Sequence, residues 1–187
     1  MALIIPDDDH SKIEQTTLMQ DQLYLCATDS LLQTYYGKDM ELIKEKAKSG
    51  ADLKDFSKLP FCILNNRIGK NIDRFFVESG FNPKVYTRSS HFQISNLMCF
   101  RGLAAAFATR TSLHNLRGNV PDDINIFPLN HNGQPMYQET AIIRHKDRYF
   151  CHYNQYFFDL ITCYHQRLEQ LTTEQLISTG LKDYYPL

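Results

Sequence analysis

Leu59-Pro60-Phe61-Cys62-Ile63-Leu64-Asn65-Asn66-Arg67-Ile68-Gly69 is the stretch on which the fold turns. Pro60–Leu64 is a continuous apolar run of strand length. Asn65 or Asn66 can then cap a helix, because a short polar side chain accepts the backbone N–H groups that a helix start leaves unpaired. Ile68, Ile72, Phe75 and Phe76 follow at helical spacing, and Gly80 stands where a helix stops. The reading is strand, tight turn, amphipathic helix.

The same grammar continues downstream. Lys84–Thr87 reads as a strand. Ser89 or Ser90 can cap the next helix, with Ile94, Leu97 and Met98 on its apolar face and Gly102 behind it. Leu103–Phe107 reads as another strand. Strands alternating with helices over short connections predict an α/β fold with a parallel sheet covered by helices. Ile124–Leu129 and Met136–Arg144 add two strands around the turn-forming Asn130-His131-Asn132-Gly133.

Upstream, Ala2–Ile5 reads as a short strand, followed by a solvated turn at Asp7-Asp8-Asp9. Leu18–Ala27 contains a second strand, and Lys38–Ser49 a helix stopped by Gly50. Leu53–Phe56 reads as a helical turn. At the other end, Gln155–Leu171 is a long amphipathic helix using Phe157, Phe158, Ile161 and Leu168, and a short tail helix runs from Thr172 toward Leu181.

The bulk numbers set limits on function. The 187 residues are 43% hydrophobic and 22% charged, which suits one ordinary globular domain or two small lobes. A net charge of −1 offers no broad electrostatic attraction to nucleic acid. The five cysteines are scattered, and several lie in apolar runs, which predicts buried free thiols in a reducing compartment. The N-terminus has no basic segment, and no stretch reaches the roughly 18 apolar residues of a membrane span. A cytoplasmic protein with no membrane association is expected.

No phosphate-binding glycine loop and no nucleophile elbow occurs, so no cofactor is expected. His145, Cys151, His152, Cys163 and His165 cluster near the C-terminus but lack the spacing of a zinc site or of a nucleophile–base pair with a third orienting group. No metal and no catalytic residue is assigned.

Taken in order, these segments resemble the C-terminal half of the effector-binding domain of LysR-type transcriptional regulators. The likeness runs from about Ala2 to about Gln170. It is carried by Leu59–Leu64, then Phe75-Phe76-Val77-Glu78-Ser79-Gly80-Phe81, Val85-Tyr86-Thr87-Arg88-Ser89-Ser90, Gly102-Leu103-Ala104-Ala105-Ala106-Phe107, and Ala141-Ile142-Ile143-Arg144-His145-Lys146-Asp147-Arg148. The family favours a second glycine where Ala104 stands and a proline where Thr109 stands.

The resemblance implies a periplasmic-binding-protein-like type II fold, with lobe II nearly complete and lobe I partial. It divides the chain into 1–27 (remnant of lobe I and first crossover strand), 28–140 (lobe II), 141–171 (second crossover strand and closing helix of lobe I) and 172–187 (tail helix). It implies a ligand-sensing, non-enzymatic module and a homodimer. DNA would be reached only through a winged helix-turn-helix domain that this chain does not contain. The missing front points to a cut coding sequence or to a remnant that stabilises itself by pairing.

A small anionic effector is expected in the cleft, where helix starts offer unpaired N–H groups and partial positive charge. The expected contacts are Asn65, Asn66, Arg67, Ser89, Ser90 and His91, with Phe107 near the cleft wall. Asn65, Ser89 and Ser90 read equally well as plain helix caps, and Arg67 and Arg88 as solvated charges. The competing classes are a periplasmic-type solute-binding protein, a small cytosolic enzyme with a Cys–His or metal centre, and a vestigial partner that dimerises with an intact relative.

Overall fold

A computed structural model describes residues 2–4, 12–149 and 151–178. Ile5, the Asp7-Asp8-Asp9 turn and the end of the tail helix beyond Ser178 lie outside the described residues.

Nine strands form one mixed sheet among these residues: β1 (Ala2–Ile4), β2 (Ile13–Thr28), β3 (Ala51–Asp52), β4 (Pro60–Leu64), β5 (Lys84–Ser89), β6 (Ala105–Thr109), β7 (Ile124–His131), β8 (Gln134–Pro135) and β9 (Tyr137–His145). Seven helices cover it: α1 (Asp29–Tyr36), α2 (Met40–Ala47), α3 (Arg67–Ser79), α4 (Phe92–Phe100), α5 (Arg110–Asn115), α6 (His152–Gln170) and α7 (Thr173–Ile177). The principal strand order is β1-β9-β2-β6-β4-β5.

β4 sits between β5 and β6 and is parallel to both. β2 is the long member of the sheet. Its second half pairs antiparallel with β6 on one edge and β7 on the other, and its first half pairs antiparallel with β9. One 16-residue strand therefore joins the β9 side of the sheet to the β4–β6 side. The sequence suggested only Leu18–Ala27, because Ile13–Thr17 is largely polar. Its pairing with β9, not its own hydrophobicity, holds that part as strand.

Strand alternation builds two cores. Leu23, Leu25 and Ala27 of β2 join Phe61 and Ile63 of β4 and Phe107 of β6 on one face, under α1 and α3. Tyr24 and Cys26 join Ala106 and Ala108 on the other face, with Cys99, Leu113, Leu168 and Leu176 from α4, α5, α6 and α7. Both faces of β4 and β6 are covered, so all five residues of each are buried. This is why Pro60–Leu64 reads as an unbroken apolar run.

α3 follows the sequence expectation. Asn66 is its N-cap, accepting from the Gly69 N–H at 3.1 Å, and Gly80 ends it in the left-handed conformation at φ 74°. Gly69 is required for packing. A Cβ there would lie 1.6 Å from the carbonyl oxygen of Leu64, so only glycine lets the first turn of α3 press onto the end of β4. At Asn132-Gly133, φ values of 50° and 77° give the two positive angles of a tight hairpin between β7 and β8.

Several expectations need correction. The helix expected over Lys38–Ser49 divides into a 3-10 turn at Gly37–Asp39 and α2. The strand expected at Leu103–Phe107 forms two residues later, as β6. α1 and α5 were not anticipated. α4 turns a different face inward: Ser95, Asn96 and Cys99 are buried, while Ile94 and Leu97 are exposed. The small side chains of Ser95 and Cys99 pack on the sheet, and the Cys99 thiol donates to the backbone carbonyl of Cys26 at 3.2 Å.

Candidate functional site

The parallel strands place helix starts along one end of the sheet. β4 ends at Leu64, whose register partner in β5 is Ser89. The next backbone group extends the ladder, with the Asn65 N–H donating to the Ser89 carbonyl at 2.7 Å. Asn65-Asn66-Arg67 and Ser89-Ser90-His91 are thereby brought side by side. β6, on the other flank of β4, ends at Thr109 and starts α5 at the same end of the sheet. In open α/β sheets, the crevice outside the carboxyl ends of strands, where connections diverge to either side, is the usual binding position.

The three helix starts are in different electrostatic conditions. α3 is capped by the Asn66 side chain. α5 carries a capping box between Thr109 and Ser112 and in addition receives a carboxylate from outside. Asp21 of β2 accepts from the Arg110 N–H at 2.7 Å and from the Thr111 hydroxyl at 2.8 Å. Burial pushes the Asp21 carboxyl above its ordinary range, and the hydrogen bonds from Thr111 and Arg110 pull back against it. The positive end of α5 is therefore already occupied by an internal anion.

α4 begins differently from the sequence expectation. Its N-cap position is His91, which makes no side-chain capping hydrogen bond. Ser89 does not cap the helix, and neither does Ser90. The Ser89 hydroxyl instead accepts from the His91 N–H at 3.1 Å and donates to the His91 carbonyl at 2.9 Å, closing a local turn one step before the helix. The first N–H groups of α4 thus lack the side-chain acceptor that a cap supplies.

Of the expected contact residues, Asn65, Asn66, Ser90 and His91 are exposed at this end, Arg67 is half-buried and Ser89 is buried. Phe107 is not among them. It is 3% exposed and lies in the core, its ring stacked on Phe61 at 5.7 Å and edge-on to Phe76 at 5.9 Å. A strand covered on both faces has no position left for a cleft wall at its third residue. Arg88 is engaged as well: its guanidinium grips the Asp73 carboxylate through both nitrogens at 2.9 and 2.8 Å, tying β5 to α3.

Sequence reasoning missed the residues that brace the site. Asn71 of α3 donates to the side-chain oxygen of Gln138, at the start of β9, and Gln138 is buried. The Arg110 guanidinium donates to the carbonyls of Leu168 and Leu171 at the end of α6. The one available signal was Asp21, the sole charged residue of the Leu18–Ala27 segment.

The cysteine and histidine cluster does not assemble into a centre. Among the described residues no group of three His, Cys, Asp or Glu side chains is placed to hold a metal ion. His165 is buried and donates from Nδ1 to the Ile161 carbonyl at 2.8 Å. Burial pushes the Cys26 thiol up to about 12 and raises Cys99 well above its usual value, which suppresses their nucleophilic thiolates. Among the described residues no helix is long and apolar enough to cross a membrane.

No protein-family model matches the chain, and no curated protein matches it. Solved structures do. The effector-binding domain of BenM with its effector benzoate is 11% identical, with a TM-score of 0.63, over 91% of this chain and 71% of that one. The effector-binding domain of QuiR in complex with shikimate is 13% identical, with a TM-score of 0.59, over 88% and 71%. HinK, a LysR family transcriptional regulator from Pseudomonas aeruginosa, is 15% identical, with a TM-score of 0.64, over 91% and 53%. At such identities the likeness is one of fold: the chain has the type II periplasmic-binding-like architecture of LysR effector-binding domains. It spans about half the length of the full-length regulators it matches.

Proposed function

We propose that this chain is the ligand-sensing part of a LysR-type transcriptional regulator, acting in the cytoplasm by binding and not by catalysis. A small carboxylate effector binds at the paired starts of α3 and α4. Asn65, Asn66, Ser90 and His91 supply polar contacts, Arg67 supplies the counter-charge, and the uncapped N–H groups of α4 donate to the anion. Ser89 serves as the turn that presents its neighbours. The carrying observation is the Asn65–Ser89 backbone hydrogen bond, which sets the two starts side by side. The benzoate and shikimate held by the similar domains are both carboxylates.

The division into a partial lobe I, a nearly complete lobe II and a tail helix belongs to this proposal, as does pairing of two copies. DNA contact falls to a winged helix-turn-helix domain outside this sequence. Ligand binding then shifts the population of domain arrangements. Isothermal titration with a panel of small carboxylates tests the site. Heat with at least one carboxylate, lost in Ser90→Ala combined with Arg67→Ala, is the expected result. Equal heats in wild type and double variant overturn it.

A further inference from the structure

β7 has an edge that no described strand covers. The Asp29 N–H donates to the Asp123 carbonyl at 3.0 Å, and the register then pairs Ala27 with Asn125 and Leu25 with Phe127. Bonded pairs alternate along an antiparallel ladder, so Asn125 and Phe127 turn their backbone groups toward β2, while Ile124, Ile126 and Pro128 turn theirs away. β3 and β8 meet β7 only at Leu129, Asn130 and His131. Beside Ile124–Pro128 lies instead a cavity of about 350 Å³, bounded by Lys44 and Lys48 of α2 and by Glu174 and Ile177 of α7. Ile124 donates its N–H to the Pro121 carbonyl and Pro128 has none, so the Ile126 N–H is the free donor on this edge. α2 packs through Ala47 on one face of the sheet and α7 through Leu176 on the other. The two lysines and Glu174 therefore stand on opposite faces of one open edge.

We infer that residues 181–185 of this same chain, which follow the described residues, occupy the groove as an added strand on the outer edge of β7. Strand addition gives an uncovered edge its missing backbone partners. Ile177 already lines the cavity, and Ser178 leaves α7 extended at ψ 147°, so the segment starts at the mouth of the groove. Thr179-Gly180 offers a turn, Leu181-Lys182-Asp183-Tyr184-Tyr185 matches Ile124–Pro128 in length, and Pro186 bars a longer ladder. The charges fit this occupant in particular. Neighbouring side chains of a strand point to opposite faces. Placing Asp183 on the α2 face, toward Lys44 and Lys48, puts Lys182 on the α7 face, toward Glu174, in either strand direction. A segment with a single charge answers only one wall. None of the lining residues belongs to the effector site, so the inference does not rest on ligand binding.

Amide hydrogen exchange on the whole 187-residue chain, read residue by residue by NMR, tests this. The expected result is a protected Ile126 N–H whose protection does not depend on protein concentration. Lys182→Pro with Asp183→Pro removes a donor from each edge of the added strand. It speeds exchange at Ile126 by roughly tenfold or more and leaves Phe127, which faces β2, unchanged. Far-UV circular dichroism confirms that the variant is folded. If it is not, Asp183→Lys replaces it: exchange at Ile126 rises, and adding Lys48→Glu lowers it again. Equal exchange at Ile126 in wild type and variant overturns the inference, whether the groove stands open or holds another ligand. Protection that falls on dilution assigns the strand to a second molecule and overturns it as well.

Discussion

The Asp21 carboxylate accepts the backbone N–H of Arg110 at 2.7 Å, so a side chain of β2 occupies the positive end of α5. The carboxyl is nevertheless held above its ordinary range, because burial outweighs its hydrogen bonds. An acid whose folded value is raised binds more protons when folded. Its contribution to stability is therefore greatest at low pH and is lost as pH rises from the ordinary carboxyl range through the raised value. Asp21→Asn removes this slope. Urea unfolding at about pH 4 and about pH 7 should show the wild type losing stability, relative to the variant, on going to the higher pH.

Gly69 is the most sensitive position at the site end of the sheet. Its missing Cβ is what allows the Leu64 carbonyl to approach. Gly69→Ala should cost about 3 kcal/mol, since backbone and not a flexible side chain is in the way. Denaturant midpoints measure it. A gain in stability, the usual result of Gly→Ala in a helix interior, would contradict the packing described.

Phe107→Ala separates a core role from a pocket role. Removing the ring between Phe61 and Phe76 should cost about 3–5 kcal/mol. Carboxylate affinity of the remaining folded protein should be unchanged within about twofold, because the ring does not reach the crevice. Thermal unfolding with ligand titration reads both quantities.

Thiol chemistry follows burial. Cys163 is exposed and Cys151 partly so, whereas Cys26, Cys62 and Cys99 are buried. A thiol reagent should label Cys163 first, then Cys151, and reach the other three only on unfolding. Peptide mapping after timed labelling checks the order.

The Arg88–Asp73 pair links β5 to α3 in a two-point geometry but stands half in solvent. Arg88→Ala should therefore cost only ~0.5 kcal/mol, and a double-mutant cycle with Asp73→Ala should show the coupling fall with added salt.

Much of this was legible where local signals agreed. For α3, a capping asparagine, helical spacing of apolar residues and a terminal glycine all pointed one way, and the element formed between Asn66 and Gly80. Short elements were not legible by spacing. α5 has six residues, and its signal was the capping pair Thr109 and Ser112; α1 likewise announces itself only through Thr28, which accepts from the Leu31 N–H. α4 was misjudged because Ile94 and Leu97 outweigh Ser95 and Cys99 on any hydrophobicity argument, yet the smaller residues fit against the sheet. The positions of Asn65, Asn66 and Ser90, just past the ends of β4 and β5, could be read from the strand–turn–helix order. The Asp21, Asn71 and Gln138 contacts could not, since each joins residues distant in sequence whose proximity the strand order creates.

β2 belongs to both sides of the sheet without a break, and its ladder with β9 shifts register between Thr17 and Met19. A covalent ribbon of this kind transmits torsion. Rotation of the β9 side relative to the β4–β6 side winds or unwinds the strand, and the irregularity at Leu18 is where the winding concentrates. The two halves of the sheet are thus coupled through one shared strut, and its single irregular point on the β9 side is where such a twist would be taken up most easily.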